Sequence, residues 1–170
     1  LRVGLEKSRN LMTVRIAQNL GIDKIVNFSK IMNIYQKPEE LLSISLGSAE
    51  TTLLSLTSAY CSFVNGGKLI KPVLIDRIQD GEGNTIINNE NRKCIDCEKI
   101  SFTGKDFPKI ADNYKQVLSP QTAYQLTSLL QGVVKRGTGK KLNELGLNIA
   151  GKTGTTNENT DAWFVGFTSN

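Results

Sequence analysis

Two runs near the end of the chain decide the fold: Leu147-Asn148-Ile149-Ala150-Gly151-Lys152-Thr153-Gly154-Thr155-Thr156 and Asp161-Ala162-Trp163-Phe164-Val165-Gly166-Phe167-Thr168. Each reads as a strand, and Asn157–Thr160 between them is a loop of about four residues, so the pair predicts an antiparallel hairpin. Upstream, the apolar period becomes helical. Ser8 and Asn10 suit a helix start, and Leu11, Val14, Ala17 and Leu20 follow at helical spacing. A second helix is expected over Ile22–Met32. A third, over Glu50–Val64, is apolar on most faces and reads as a buried central helix. Ser119-Pro120 is a cap followed by proline at the first helical position. From there Ala123, Leu126, Leu129, Leu130, Val133 and Val134 form one stripe that ends at Arg136-Gly137-Thr138-Gly139. Helices followed by antiparallel strands make this an α+β chain, not a doubly wound sheet.

The remaining segments carry less signal. Ser43–Gly47 reads as a loop and Lys140–Leu145 as a short helix. Leu69–Gln79 is expected to be a strand, Asp80–Asn84 a turn and Thr85–Ile87 the return. Residues 88–117 are polar and read as a variable surface excursion. No apolar run approaches the roughly 18 residues needed to span a bilayer. A first residue of Leu1, opening directly on a helical pattern, suggests a piece of a longer chain.

Composition narrows the chemistry. The 170 residues hold 21 Lys and Arg against 16 Asp and Glu, for a net charge of +5. Lys115, Lys135, Arg136, Lys140 and Lys141 fall between Asp112 and Glu144 with no acid among them. That excess suits an anionic ligand, or equally a solvated surface with cations at a helix C-terminus. No stacking aromatics interleave with these cations, which argues against nucleic acid. There is no histidine. Its absence removes Ser-His-Asp and Cys-His catalysis together with the commonest metal ligand. Three cysteines without histidine do not complete an ordinary four-ligand zinc site unless a carboxylate joins. Cys94 and Cys97 form a C-x-x-C outside any βαβ pattern, consistent with a local disulfide or idle thiols, and Cys61 reads as a small core residue.

The strand through Gly151-Lys152-Thr153-Gly154-Thr155 bears chemistry. Side chains alternate along a strand, so Thr153 and Thr155 share a face and Lys152 takes the other. Two hydroxyls beside a cation suit a carboxylate, and Gly154 lets another backbone come close. The same stretch also reads as a polar edge strand with a glycine bulge. Ser8-Arg9-Asn10, taken alone, reads as a helix cap. Together, however, a Ser-x-Asn-type element and Lys-Thr-Gly are two of three signatures of penicillin-binding proteins and their β-lactamase relatives. In that chemistry a lysine stands in for histidine as the base.

The likeness extends along the chain. Gly4 through Asn10, Ser45-Leu46-Gly47-Ser48, Ser58-Ala59-Tyr60 through Asn65-Gly66-Gly67, Gly132 through Gly139, Ala150 through Thr156, and Asp161 through Gly166 occur in family order. They resemble the transpeptidase domain of bifunctional (class A) penicillin-binding proteins, closest to the 1A type. The resemblance implies a β-lactamase/transpeptidase-like fold and a partial domain over 1–170. It also implies a serine acyltransferase acting on D-alanyl-D-alanine stem peptides of peptidoglycan. By it, Ser8 belongs to a hydroxyl relay beside the general base, Asn10 bonds the substrate backbone, and Lys152 supplies positive charge. Thr153 and Thr155 would hold the terminal carboxylate, Gly154 would line the same substrate site, and the Thr155 N–H would be half of the oxyanion hole. Gly137-Thr138-Gly139 would border the cleft without a chemical role.

The implied partners are the stem peptide, β-lactam antibiotics and a parent glycosyltransferase domain. The implied location is the inner membrane, facing the periplasm, with no cofactor and no metal. The sequence departs from the pattern at the nucleophile. No serine has a lysine three residues on: Ser29 is followed by Met32, Ser43 by Leu46, Ser119 by Thr122. The Ser-x-x-Lys nucleophile is therefore expected upstream of Leu1 and a final strand beyond Asn170, leaving this chain inactive alone. Trp163, Val165 and Phe167 are expected to be poorly covered, making the isolated piece unstable or aggregation-prone. A serine β-lactamase-like hydrolase and a non-catalytic penicillin-binding sensor are the competing readings. Acyl-enzyme lifetime separates the first, and the upstream sequence the second.

Overall fold

The protein is described from a computed structural model covering residues 1–89, 92, 94–95, 109–111, 113–155 and 162–168. Cys97, most of the 88–117 excursion and the hairpin loop around Asn157–Thr160 lie outside the described residues. Two units are distinguishable, Leu1–Ile70 with Gln116–Asn170, and Lys71–Lys115.

In the first unit, α1 (Arg2–Glu6), α2 (Asn10–Leu20) and α3 (Ile22–Ile31) open the chain. In place of the loop expected over Ser43–Gly47, a 3-10 helix spans Leu42–Leu46 and Gly47 ends it. α4 spans Leu53–Val64, beginning where Thr52 Oγ1 accepts the Ser55 N–H at 3.1 Å. It is not the fully buried helix its composition suggested. Ala59 and Ser62 are buried, whereas Leu53, Leu54 and Val64 are exposed, because α4 is covered only on the side that packs against later elements. A short strand, β1 (Lys68–Leu69), follows.

The second unit contains β2 (Arg77–Gln79) paired with β3 (Thr85–Asn88), and β4 (Cys94–Ile95) paired with β5 (Lys109–Ile110), both antiparallel. The strand expected over Leu69–Gln79 is broken between residues 70 and 76. Pro72 lies there, lacking a ladder donor and restricting the residue before it. The Asp80–Asn84 turn forms as read: Asp80 Oδ1 accepts the N–H groups of Glu82 at 3.0 Å and Asn84 at 2.8 Å. Cys94 is disulfide-bonded and Cys61 is a free thiol.

The chain re-enters the first unit through β6 (Lys115–Gln116). The Val117 and Leu118 N–H groups then donate to Gly67 O. α5 (Pro120–Arg136) starts on Ser119, whose hydroxyl accepts the Thr122 N–H at 3.1 Å. Such a cap is worth about 1 kcal/mol. Ala123, Leu130, Val133 and Val134 of the predicted stripe are buried. A 3-10 helix over Lys140–Leu145 leads into the hairpin of β7 (Ile149–Thr155) and β8 (Ala162–Thr168). α5 packs on β7, with α1 and α4 also against α5 and α4 reaching β8. Among the described residues no helix is long and apolar enough to cross a membrane. On β8, Trp163 is exposed, while Val165 and Phe167 are half-buried.

The hairpin register sets Gly151 opposite Gly166 and Lys152 opposite Val165. A Cβ on Gly151 would lie 2.4 Å from Phe164 Cζ and 2.7 Å from the Val165 carbonyl oxygen. The ring can turn away but the carbonyl belongs to the partner strand. Gly151→Val is therefore expected to destabilise the chain by about 1–3 kcal/mol, read as a lowered urea midpoint. An unchanged midpoint would show that the two strands are not held this closely.

Candidate functional site

The site begins at the turn between α1 and α2. The Ser8 N–H donates to Leu5 O at 3.1 Å and the Arg9 N–H to Gly4 O at 2.8 Å. These two bonds are the 5→2 and 6→1 pair of a Schellman motif closing α1, with Ser8 in its left-handed position at φ 52°. That position normally takes glycine, because a Cβ there costs roughly 1–2 kcal/mol. Ser8 is thus not a cap of α2. The cap residue of that helix is Arg9, with no side-chain hydrogen bond, and Asn10 is its first residue, exposed. The hydroxyl points elsewhere: Lys152 Nζ donates to Ser8 Oγ at 2.9 Å across 144 residues of sequence.

Lys152 is half-buried on β7, and its ammonium also donates to Thr153 O at 2.9 Å. Two of its three N–H donors are therefore directed within the site. Burial pushes the Lys152 pKa below the ordinary lysine value, since desolvation disfavours the charged form. Beside it, the Thr138 and Thr153 hydroxyls share a hydrogen bond at 2.6 Å. Thr138, to which the sequence assigned no chemistry, thus joins the cluster. Its position in a Gly-Thr-Gly turn directly after α5 was the available signal.

An ion pair between a buried carboxylate and a largely exposed guanidinium backs the cluster. Arg136 Nη2 donates to Glu6 Oε1 at 2.6 Å and Arg136 Nε to Oε2 at 3.3 Å. The Arg136 guanidinium holds the Glu6 carboxyl below the usual carboxylate range and is itself held above the ordinary arginine value. Further along β7, Thr155 is exposed on the Thr153 face, and on the opposite face a Cβ on Gly154 would meet, among the described residues, only Trp163 Cβ at 4.0 Å. Ser8, Lys152 and Thr153 are therefore brought together directly; Asn10 and Thr155 each lie two residues along the chain from Ser8 and Thr153, and both are exposed. An open cavity of about 690 Å³ lined by residues between Ile34 and Ser55 shares no residue with this cluster. Among the described residues no group of three or more cysteine, aspartate or glutamate side chains could hold a metal ion.

A Ser-x-Asn turn docked through its serine onto the lysine of a Lys-Thr-Gly strand, in an α+β fold, matches two of the three motifs shared by penicillin-binding proteins and β-lactamases. The family model for the penicillin-binding protein transpeptidase domain matches residues 1–170, and the chain belongs to that family. It is 45% identical over 171 residues to penicillin-binding protein 1A of Rickettsia bellii (strain RML369-C), covering 99% of this chain and 22% of that protein. Penicillin-binding protein 1A of Neisseria lactamica is 37% identical over 172 residues, with 98% of this chain and 19% of that protein covered. The crystal structure of penicillin-binding protein 1A from Haemophilus influenzae superposes with a TM-score of 0.78 at 30% identity, over 98% of this chain and 28% of that one. The chain spans about 22% of the length of the Rickettsia relatives it matches.

Proposed function

We propose that the chain forms two of the three walls of a peptidoglycan D,D-transpeptidase site, the third being a Ser-x-x-Lys segment of a longer protein. In that reaction the nucleophilic serine forms an ester with the penultimate D-alanine. The amide bond to the terminal D-alanine breaks, and that residue leaves carrying the serine's proton. An amine of a neighbouring strand then attacks the ester carbonyl, the ester C–O bond breaks and the amine's proton returns to the serine, closing the crosslink. Ser8 passes the proton, Asn10 holds the substrate backbone, and the Lys152 ammonium keeps the relay polarised. Thr153 and Thr155 bind the terminal carboxylate, Gly154 leaves room for the peptide, and the Thr155 N–H faces the developing oxyanion. β-Lactams acylate the same serine. The parent protein carries a glycosyltransferase domain and faces the periplasm from the inner membrane.

The observation carrying this reading is the 2.9 Å contact between Lys152 Nζ and Ser8 Oγ. It brings two motifs from distant parts of the chain into contact, which supports their serving one cleft. The test is labelling with a fluorescent penicillin. A longer protein containing the Ser-x-x-Lys segment is expected to take one covalent label that persists, located by peptide mapping on that serine. The chain alone is expected to take none. Label on a serine of this chain, or no label on the well-folded longer protein, would defeat the proposal. Release of the label within seconds would turn the reading toward a hydrolase.

A further inference from the structure

Resting on that reading, we propose that Glu6 and Arg136 are positioning residues: a clamp that holds the Ser8 turn and the Thr138 turn as one unit and sets how fast the assembled site is acylated. Glu6 and Ser8 flank Lys7, while Arg136 and Thr138 flank Gly137. One ion pair therefore anchors two turns, each of which sends a hydroxyl to the hairpin, Ser8 to Lys152 and Thr138 to Thr153. The turns are also stitched by backbone. Glu6 O accepts the Thr138 N–H at 3.1 Å, and Lys7 Nζ donates to Arg136 O at 3.0 Å.

The carboxylate sits in a slot made for it. Glu6 is only 4% exposed. A Cβ on Gly132 would lie 2.0 Å from Glu6 Oε1, and one on Gly137 would lie 2.2 Å from Glu6 O. The absent side chains let α1 press against the end of α5. Arg2 Nη1 lies 3.8 Å from Oε1, a second and looser cation.

An ion pair in such a place is a modest source of stability, because desolvating the carboxylate offsets part of the attraction and solvent screens the exposed guanidinium. Its distinctive property is directional. A guanidinium fork fixes a carboxylate in plane and in distance, which an apolar contact does not. Misplacement of a catalytic group by about 1 Å costs on the order of a hundredfold in rate. A clamp on the backbone beside both hydroxyls acts on that sensitivity.

The experiment uses the longer protein with its Ser-x-x-Lys segment, fluorescent penicillin as the probe, and the variants Glu6→Gln and Arg136→Lys. The first keeps shape and loses charge; the second keeps charge and loses the fork. Acylation rate constants are normalised to the final labelled fraction, so partial unfolding does not enter them, and melting temperatures are recorded in parallel. Both variants are expected to acylate about 10- to 100-fold more slowly while reaching the wild-type labelled fraction. The loss is expected in the first-order acylation step more than in the concentration for half-saturation. Normalised rates equal to wild type, with or without a lower melting temperature, would reduce the pair to a structural contact and overturn the clamp. A wild type that takes no label overturns the underlying transpeptidase reading, and the clamp with it, so the two failures are told apart.

Discussion

Replacing Ser8 by glycine is expected to leave the fold as stable as before, or more stable by up to about 1 kcal/mol, while slowing penicillin acylation of the longer protein a hundred- to ten-thousand-fold, roughly the range for loss of one proton-transfer group. The two halves of this expectation come from one torsion angle. Ser8 occupies the left-handed position that ends α1, at φ 52°, where glycine adopts the same conformation without steric cost. The backbone bonds that make the turn, Ser8 N–H to Leu5 O and Arg9 N–H to Gly4 O, survive the change. What is lost is the hydroxyl that receives the Lys152 ammonium. A strained non-glycine residue retained at such a position points to work done by its side chain. Urea midpoints and acylation rates on the same preparation check it. A slower reaction accompanied by a large loss of stability would mean that Ser8 serves the turn, and an unchanged rate would remove it from the relay.

Much of this arrangement was legible in the sequence where local chemistry dictates structure. Ser119-Pro120 forms the expected helix start, and the alternation around Lys152 and Val165 gives the observed hairpin. Ser8 looked like a helix cap because serine satisfies an N-cap as well as it fills a left-handed turn, and only the distant Lys152 distinguishes the two roles. α1, at five residues, is too short for periodicity to declare itself. Pro72 interrupts a run whose apolar residues otherwise favour a strand. α4 looked buried because composition records how apolar a helix is, not how many of its faces find partners. Thr138 and the Glu6–Arg136 pair were invisible for a simpler reason. Their chemistry exists only between segments, 15 residues apart for the threonines and 130 for the ion pair. Local signals specify the scaffold, then, whereas the site appears where α1, the end of α5 and β7 converge.

Lys152→Ala in the longer protein is expected to lower the acylation rate by about a hundred- to ten-thousand-fold, with Lys152→Arg retaining more of it. The ammonium donates to Ser8 Oγ and to Thr153 O, so its removal leaves the proposed relay hydroxyl without this donor and the proposed carboxylate site without its cation. The pH dependence separates the charged role from a neutral one. Burial lowers the Lys152 pKa below the ordinary lysine value, so the folded protein releases this proton before the unfolded chain does. Between those two values the unfolded chain binds more protons, and the contribution of Lys152 to stability rises with pH across that window. If the cation is the working form, acylation moves the opposite way, falling as pH rises through the folded value. A limb that falls below the ordinary lysine pKa in the wild type, while stability does not fall, is the expected result. Arginine stays charged throughout, so in Lys152→Arg the same limb should vanish at whatever rate remains. A wild-type rate that climbs through that limb would mean that the neutral amine does the work, accepting the Ser8 proton instead of polarising its oxygen.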